Sequence, residues 1–157
     1  MKKANQYMNL AIEEARRGIR EGHGGPFGCV IVKDGEVVGR GHNVVLLRRD
    51  PTCHGEMMAI RRACEALGRF QLKDCELYTT GEPCPMCRGA ILWAEIPKVY
   101  YGCGIDDTER IGFRDRRFYE SMREGEGRTI TSFEELEREA CLELYEEYRG
   151  IAEKESY

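Results

Sequence analysis

The chain is poor in several features that would mark its cellular class. Among its 157 residues it has three histidines and one tryptophan, and its formal net charge is -4. A helix that crosses a bilayer needs about 20 consecutive apolar residues, and no stretch approaches this length. Met1–Gln6 leads into a polar helix pattern rather than a signal peptide. The negative charge gives no overall attraction to phosphate backbones. We therefore expect a cytoplasmic protein without membrane contact and disfavour nucleic acid as its partner.

The chain also has a single CxxC motif, Cys84-Pro85-Met86-Cys87. Without a second motif the four cysteines of a closed structural zinc site are missing, and the preceding Glu82-Pro83 argues against a thioredoxin-like redox pair. Of the three histidines, only His54 is followed two residues later by a carboxylate, Glu56. The combination of H-x-E with P-C-x-x-C is the signature of zinc-dependent base deaminases.

This motif predicts one zinc ion per chain with an open coordination position. His54, Cys84 and Cys87 would fill three corners of a tetrahedron, and the fourth would hold a hydroxide, because zinc lowers the pKa of bound water toward neutrality. Glu56 would be the catalytic proton shuttle. The alternative is a non-catalytic, zinc-stabilised binding module, in which Glu56 is only an acid at a helix N-terminus.

The hydrophobic periodicity predicts an α/β fold. Apolar residues recur every three or four positions from Tyr7 to Ile19 and from Met57 to Leu67, which indicates two helices, the second opened by His54. Asp34-Gly35 between two apolar runs predicts a tight hairpin, and residues 77–80 and 99–103 are strand-like. Because strands and helices alternate after the hairpin, we expect a three-layer α/β/α sandwich with a mixed central sheet of about five strands.

We expect residues 1–157 to form a single domain. Residues 89–94 are predicted to be helical, and residues 104–117 to be irregular and polar. Ser132 and Glu135 form a capping-box pattern, so residues 132–157 are predicted to be a C-terminal helix and tail.

From about Gly25 onward, the sequence resembles the bacterial guanine deaminases of the cytidine deaminase-like superfamily. The resemblance rests on the following strings: Gly24-Gly25-Pro26-Phe27-Gly28, Asp50-Pro51-Thr52, Tyr78-Thr79-Thr80, Glu82 to Cys87, Gly89-Ala90-Ile91, Trp93-Ala94 and Gly112-Phe113 with Asp115. It implies hydrolytic deamination of free guanine to xanthine and ammonia.

The resemblance also implies the substrate-binding residues and the assembly. Phe27 and Trp93 would be walls of the base pocket, Asn43 would hydrogen-bond the base, and Asp115 would read the N–H edge of guanine. The protein would be a homodimer whose C-terminal segment crosses to the partner subunit, where Tyr157 closes the active site. From the residues alone, Phe27 and Trp93 could equally be core aromatics.

The triplet His54-Gly55-Glu56 departs from the common His-Ala-Glu form. Together with residues 39–43, Gly-Arg-Gly-His-Asn, it resembles fungal cytosine deaminases. Deamination of free cytosine therefore stays open as an alternative, as does deamination of adenosine in a tRNA loop.

Overall fold

The computed structural model describes residues 2–123, 131 and 134–152, with side chains from residue 6 onward. The chain divides into two compact units, Met1–Glu120 and Ser121–Tyr157. In chain order the elements are α1 Lys2–Arg20, β1 Gly28–Lys33, β2 Glu36–His42, α2 Val45–Arg48, α3 Gly55–Leu67, β3 Cys75–Gly81, α4 Pro85–Trp93, β4 Lys98–Cys103, α5 Ile105–Arg110, α6 Asp115–Arg123 and α7 Arg138–Arg149.

The strands form one mixed sheet in the order β2-β1-β3-β4. β1 pairs antiparallel with both β2 and β3, and β3 pairs parallel with β4 across the α4 crossover. Asp34 and Gly35 join β1 to β2 with φ angles of 50° and 86°, the left-handed values that a two-residue hairpin turn needs. The mixed sheet is as predicted, but it has four strands in the described residues rather than about five.

Alternate residues of β1 face two hydrophobic clusters. Val30 and Val32 pack with Tyr7 of α1, whereas Cys29 and Ile31 pack with Ala59 and other residues of α3 and α4. This alternation follows from the period of two in a strand. Each fully buried aliphatic side chain contributes about 1.5–3 kcal/mol to stability, so helices on both faces hold the sheet, and with it the loops at its edge, in place.

Gly28 allows α1 to lie against the start of β1. A Cβ atom at this position would stand 2.0 Å from the carbonyl oxygen of Ala11 and 2.5 Å from the backbone nitrogen of Ala15. Both are backbone atoms of α1, so neither can rotate away. The close approach positions β1 and the segment before it, which carries Phe27.

Three predicted boundaries were wrong. Residues 104–117 are not irregular, because they contain α5 and the start of α6; Gly104 donates its backbone N–H to Asp107, which caps α5. The α4 helix begins at Pro85 rather than residue 89. Proline lacks a backbone N–H, and it is tolerated at the first helical position because an N–H there would have no partner within the helix. The last helix begins at Arg138, whereas Ser132 lies outside the described residues. No helix in the described residues is both long and apolar enough to span a bilayer.

Candidate active site

The three predicted metal ligands meet at the N-termini of two helices. His54 is the N-cap of α3, and Cys84 is the N-cap of α4, with Cys87 in its first turn. Cys84 Sγ lies 3.5 Å and Cys87 Sγ 3.6 Å from His54 Nδ1. Zinc with Zn–S of about 2.3 Å and Zn–N of about 2.0 Å in a tetrahedral site would place such ligands about 3.5 Å apart. The donor set therefore fits Zn²⁺.

The donor atoms share protons in a way that favours metal binding. The pKa of Cys84 is lowered to about 4, first because Cys87 donates a hydrogen bond to its sulfur and also because His54 does so. The same contact raises the pKa of Cys87, which holds its thiol proton beside the Cys84 thiolate. The hydrogen bond with Cys84 likewise raises the pKa of His54. Metal ligands must be deprotonated, so a zinc ion takes the place of these shared protons.

Glu56 lies beside this cluster on the first turn of α3. Its side chain is buried, with 5% of the residue exposed, and burial is the main cause that raises its pKa. Thr79 Oγ1 on β3 donates to Glu56 Oε1 over 3.3 Å, and the Cys87 thiol lies 3.5 Å from Oε2. A buried carboxylate held by a hydroxyl and adjacent to a metal site is suited to accept and return a proton.

A small cavity opens from the metal ligands and brings together most of the predicted substrate-binding residues. It is lined by Phe27, Asn43, His54, Glu56, Gly81, Glu82, Cys84, Phe113 and Asp115. The Phe27 and Phe113 rings meet edge to face at a centroid distance of 4.8 Å. Asp115 opens α6, and burial raises the pKa of its carboxyl. Flat aromatic walls with a carboxylate at one edge suit a planar base that has N–H donors.

Asn43 has a fixed orientation at the cavity. Its Oδ1 accepts the backbone N–H of Val45 over 3.1 Å, and its own backbone N–H donates to Phe27 O over 2.9 Å. Because Oδ1 is occupied, the side-chain amide can offer its N–H₂ donors to a ligand.

Trp93 is not among the residues that line this cavity, although the resemblance predicts it as a pocket wall. It is the last residue of α4 and is 67% exposed. Tyr157 lies outside the described residues. The substrate-binding roles of Trp93 and Tyr157 therefore stay predictions.

Four lining or supporting residues were absent from the predicted site. Phe113 and Glu82 lie within strings that carry the resemblance, which was a usable signal, and Gly81 precedes Glu82 directly. Thr79 also lies within one of these strings, Tyr78-Thr79-Thr80. Its side chain is 1% exposed, and its contact with Glu56 joins residues 23 positions apart, which no local pattern reveals.

The mixed sheet and an open His-Cys-Cys site with a buried glutamate define a zinc-dependent hydrolase. The model for the cytidine and deoxycytidylate deaminase zinc-binding region matches residues 1–103. The chain belongs to this family, and zinc is the metal of its site.

The similarity to one branch of the family extends over nearly the whole chain. Guanine deaminase of Bacillus subtilis (strain 168) is 43% identical over 152 residues, which are 96% of this chain and 97% of that protein. The X-ray structure of guanine deaminase from Bacillus subtilis superimposes with a TM-score of 0.92 and 40% identity, covering 98% of both chains. A tRNA-specific adenosine deaminase of Aquifex aeolicus is 43% identical over 95 residues, or 60% of this chain and 62% of that protein.

Proposed function

We propose that the protein catalyses hydrolytic deamination of free guanine to xanthine and ammonia. The observation that carries this proposal is the cavity that joins two of the metal ligands, His54 and Cys84, with Glu56 and Asp115. The similarity to guanine deaminase over 96% of the chain supports the same substrate. Water and guanine supply all the atoms of xanthine and ammonia, so no further reactant is needed.

Glu56 moves the protons of the reaction. When bound, Zn²⁺ supplies an activated water by lowering the pKa of that water toward neutrality. Glu56 takes one proton from the water and delivers it to the ring nitrogen beside the attacked carbon, and then takes the second proton of that water and delivers it to the departing amine. Burial keeps solvent from competing for this proton, and the hydroxyl of Thr79 fixes one carboxylate oxygen.

The other cavity residues would bind the base. Phe27 offers an aromatic wall, and the Asn43 amide donates to an acceptor of the ring. Asp115 accepts from the adjacent N–H donors that guanine presents at its ring N1 and exocyclic amine. A site built to hydrogen-bond such donors rejects bases that lack them by large factors.

The cavity favours a free base over a nucleotide in RNA. Three of its nine lining residues are carboxylates, and no lysine or arginine is among them. A phosphate near these carboxylates would be repelled rather than bound.

Ammonia release from guanine, cytosine, adenine, their nucleosides and a tRNA anticodon loop tests the proposed substrate. We expect release from guanine well above that from each other compound. Release from cytosine or the tRNA loop without release from guanine would refute the proposal. Treatment with a chelator should remove zinc and ammonia release in proportion, which shows that the activity belongs to the zinc-loaded protein rather than to a contaminant.

The proposal extends to the assembly. We infer a cytoplasmic homodimer in which the tail crosses between subunits and Tyr157 covers the active site. We also infer that each chain is a single domain with the architecture of a three-layer α/β/α sandwich. The separate compact unit Ser121–Tyr157 supports an exchangeable tail. Sedimentation of the full chain, compared with a chain that lacks Tyr157, tests this: a monomeric full chain would contradict the inferred assembly.

A further inference from the structure

A tyrosine outside the cavity joins the helix that carries Asp115 to the loop that carries two of the zinc ligands. Tyr119 lies on α6 and donates its phenolic O–H to the backbone oxygen of Pro83, which directly precedes Cys84. A carbonyl oxygen can only accept, so the phenol is the donor. Burial raises the pKa of this phenol, which therefore stays protonated near neutral pH. The deamination steps above do not use Tyr119.

Tyr119 and Asp115 lie on the same face of α6. They are four positions apart, and residues at this spacing are neighbours on the surface of a helix. Long side chains in a helix point back toward its N-terminus, so the Tyr119 ring extends toward the turn that carries Asp115. The face of α6 that offers the Asp115 carboxylate to the cavity is therefore also the face that contacts the zinc loop.

The ring of Tyr119 is held as well as its hydroxyl. The guanidinium of Arg88 lies 5.3 Å from the ring centroid, within the limit of about 6 Å for a cation–π contact. Arg88 directly follows the zinc ligand Cys87, and its guanidinium donates to Glu82 over 2.7 Å. The two partners of Tyr119 thus stand on either side of the CxxC motif.

The ion pairs of Arg116 attach α6 to its neighbour α5 rather than to the metal site. Arg116 contacts Asp106 and Glu109, and all three side chains are at least 41% exposed. Exposed ion pairs contribute little to stability. The hydrogen bond of Tyr119 is the contact that links α6 directly to the backbone beside a zinc ligand.

We propose that Tyr119 is a positioning residue that sets the distance between the Asp115 carboxylate and the zinc ligands. A base must reach the metal and Asp115 at the same time, so only some placements of α6 allow both contacts. Without the phenol, α6 also occupies other placements, and the apparent affinity for the base falls with the population of the competent one. Once the base is bound, its contact with Asp115 restores that placement. Tyr119 therefore acts on binding more than on the chemical step.

Hydrogen exchange of the zinc-loaded protein tests the attachment of α6 without any substrate. This attachment does not depend on the proposed function, whereas the effect on guanine rests on it. Tyr119→Phe keeps the ring beside Arg88 and removes only the hydroxyl. We expect the amides of residues 118–120 to exchange about 3- to 10-fold faster in this variant, the value of one hydrogen bond.

Tyr7→Phe is the matched control. The Tyr7 phenol also donates to a backbone oxygen, that of Gly35 over 2.7 Å. Gly35 lies in the hairpin at the opposite end of β1 from Phe27, so this control should leave the exchange of residues 118–120 as in the wild type.

Kinetics of the same variants test the positioning role. Tyr119→Phe should raise the KM for guanine by about 3- to 10-fold, with little change in kcat and with zinc content unchanged, whereas Tyr7→Phe should change neither constant. The effect on KM should disappear when Tyr119→Phe is combined with Asp115→Ala, because the placement of α6 acts through Asp115. A general loss of structure would instead raise KM by the same factor with and without Asp115.

Unchanged exchange of residues 118–120 in Tyr119→Phe would overturn the attachment. The positioning role would be overturned by an unchanged KM, or by an equal effect on KM in the Asp115→Ala background. Loss of zinc from Tyr119→Phe would also overturn it, because the phenol would then support the metal loop instead of α6. If the wild type itself does not act on guanine, the proposed function fails, while the exchange rates still decide the attachment of α6.

Discussion

Replacement of Glu56 by glutamine separates metal binding from proton transfer. Glutamine has the same shape, so its amide oxygen can still accept the hydroxyl of Thr79, and its amide nitrogen can donate to the sulfur of Cys87. These two contacts measure 3.3 and 3.5 Å. We therefore expect Glu56→Gln to fold and to retain about one zinc ion per chain, because the three zinc ligands His54, Cys84 and Cys87 are unchanged.

The expected loss of activity follows from the role of the carboxylate. An amide cannot take a proton from water and pass it on, and general acid-base catalysis contributes about 10²- to 10⁴-fold to rates. The kcat should therefore fall by this factor, which corresponds to about 3 to 5 kcal/mol in the activation barrier. The KM should change little, because Asn43, Asp115 and Phe27 would still bind the base. Ammonia release under saturating guanine gives kcat, and elemental analysis gives zinc per chain.

Glu82→Gln provides a matched control in the same cavity. The Glu82 oxygens accept from Arg88 over 2.7 Å and from the backbone N–H of Ile105 over 3.3 Å. Both partners are structural, and Arg88 is half-exposed, where an ion pair is worth about 0–1 kcal/mol. This control should lose less than about tenfold in kcat. A Glu56→Gln protein that keeps zinc and turns over as fast as the control would refute the proton-shuttle role.

Three further predictions concern the metal, the base and the packing of β1. Cys87→Ser should lower zinc content well below one per chain and lower the melting temperature, because metal binding stabilises only the folded state. Asp115→Ala should reduce kcat/KM for guanine by about 10- to 100-fold, the value of hydrogen bonds to a charged group, with zinc content unchanged; an unaltered guanine rate would contradict its recognition role. Gly28→Ala should lower the free energy of unfolding by at least about 2 kcal/mol through the clash with Ala11, whereas Gly89→Ala, with nothing within 4 Å, should raise it by about 0.5–1 kcal/mol; urea denaturation measures both.

The metal centre could be predicted from sequence because its parts are local. His54 and Glu56 lie two positions apart at one helix start, and Cys84 and Cys87 lie within one turn of another. Sequence spacing therefore fixes each pair before the fold is known. The hairpin turn at Asp34-Gly35 is local in the same sense, since left-handed φ angles select those residues.

The helix α5 and the start of α6 could not be predicted because residues 105–117 lack an apolar stripe; the apolar residues of α6, Phe118, Tyr119 and Met122, come only after this segment. Residues 105–117 form a polar segment whose visible stabilisation comes from ion pairs, such as those of Arg116 with Asp106 and Glu109. Hydrophobic periodicity has no signal in such a segment. Because α6 begins at Asp115, the same lack of signal left the position of this carboxylate in the cavity to resemblance alone.

Glu56 and Glu82 show what decides the role of a residue once the fold has formed. Both are glutamates that line one cavity. Glu56 contacts a hydroxyl and a metal ligand in a buried position, so its proton is available to the reacting atoms, whereas Glu82 is committed to a guanidinium and a backbone N–H. Their partners lie between 6 and 31 positions away in the sequence. The reaction type follows from local spacing, while the choice of base depends on contacts such as these, which only the fold creates.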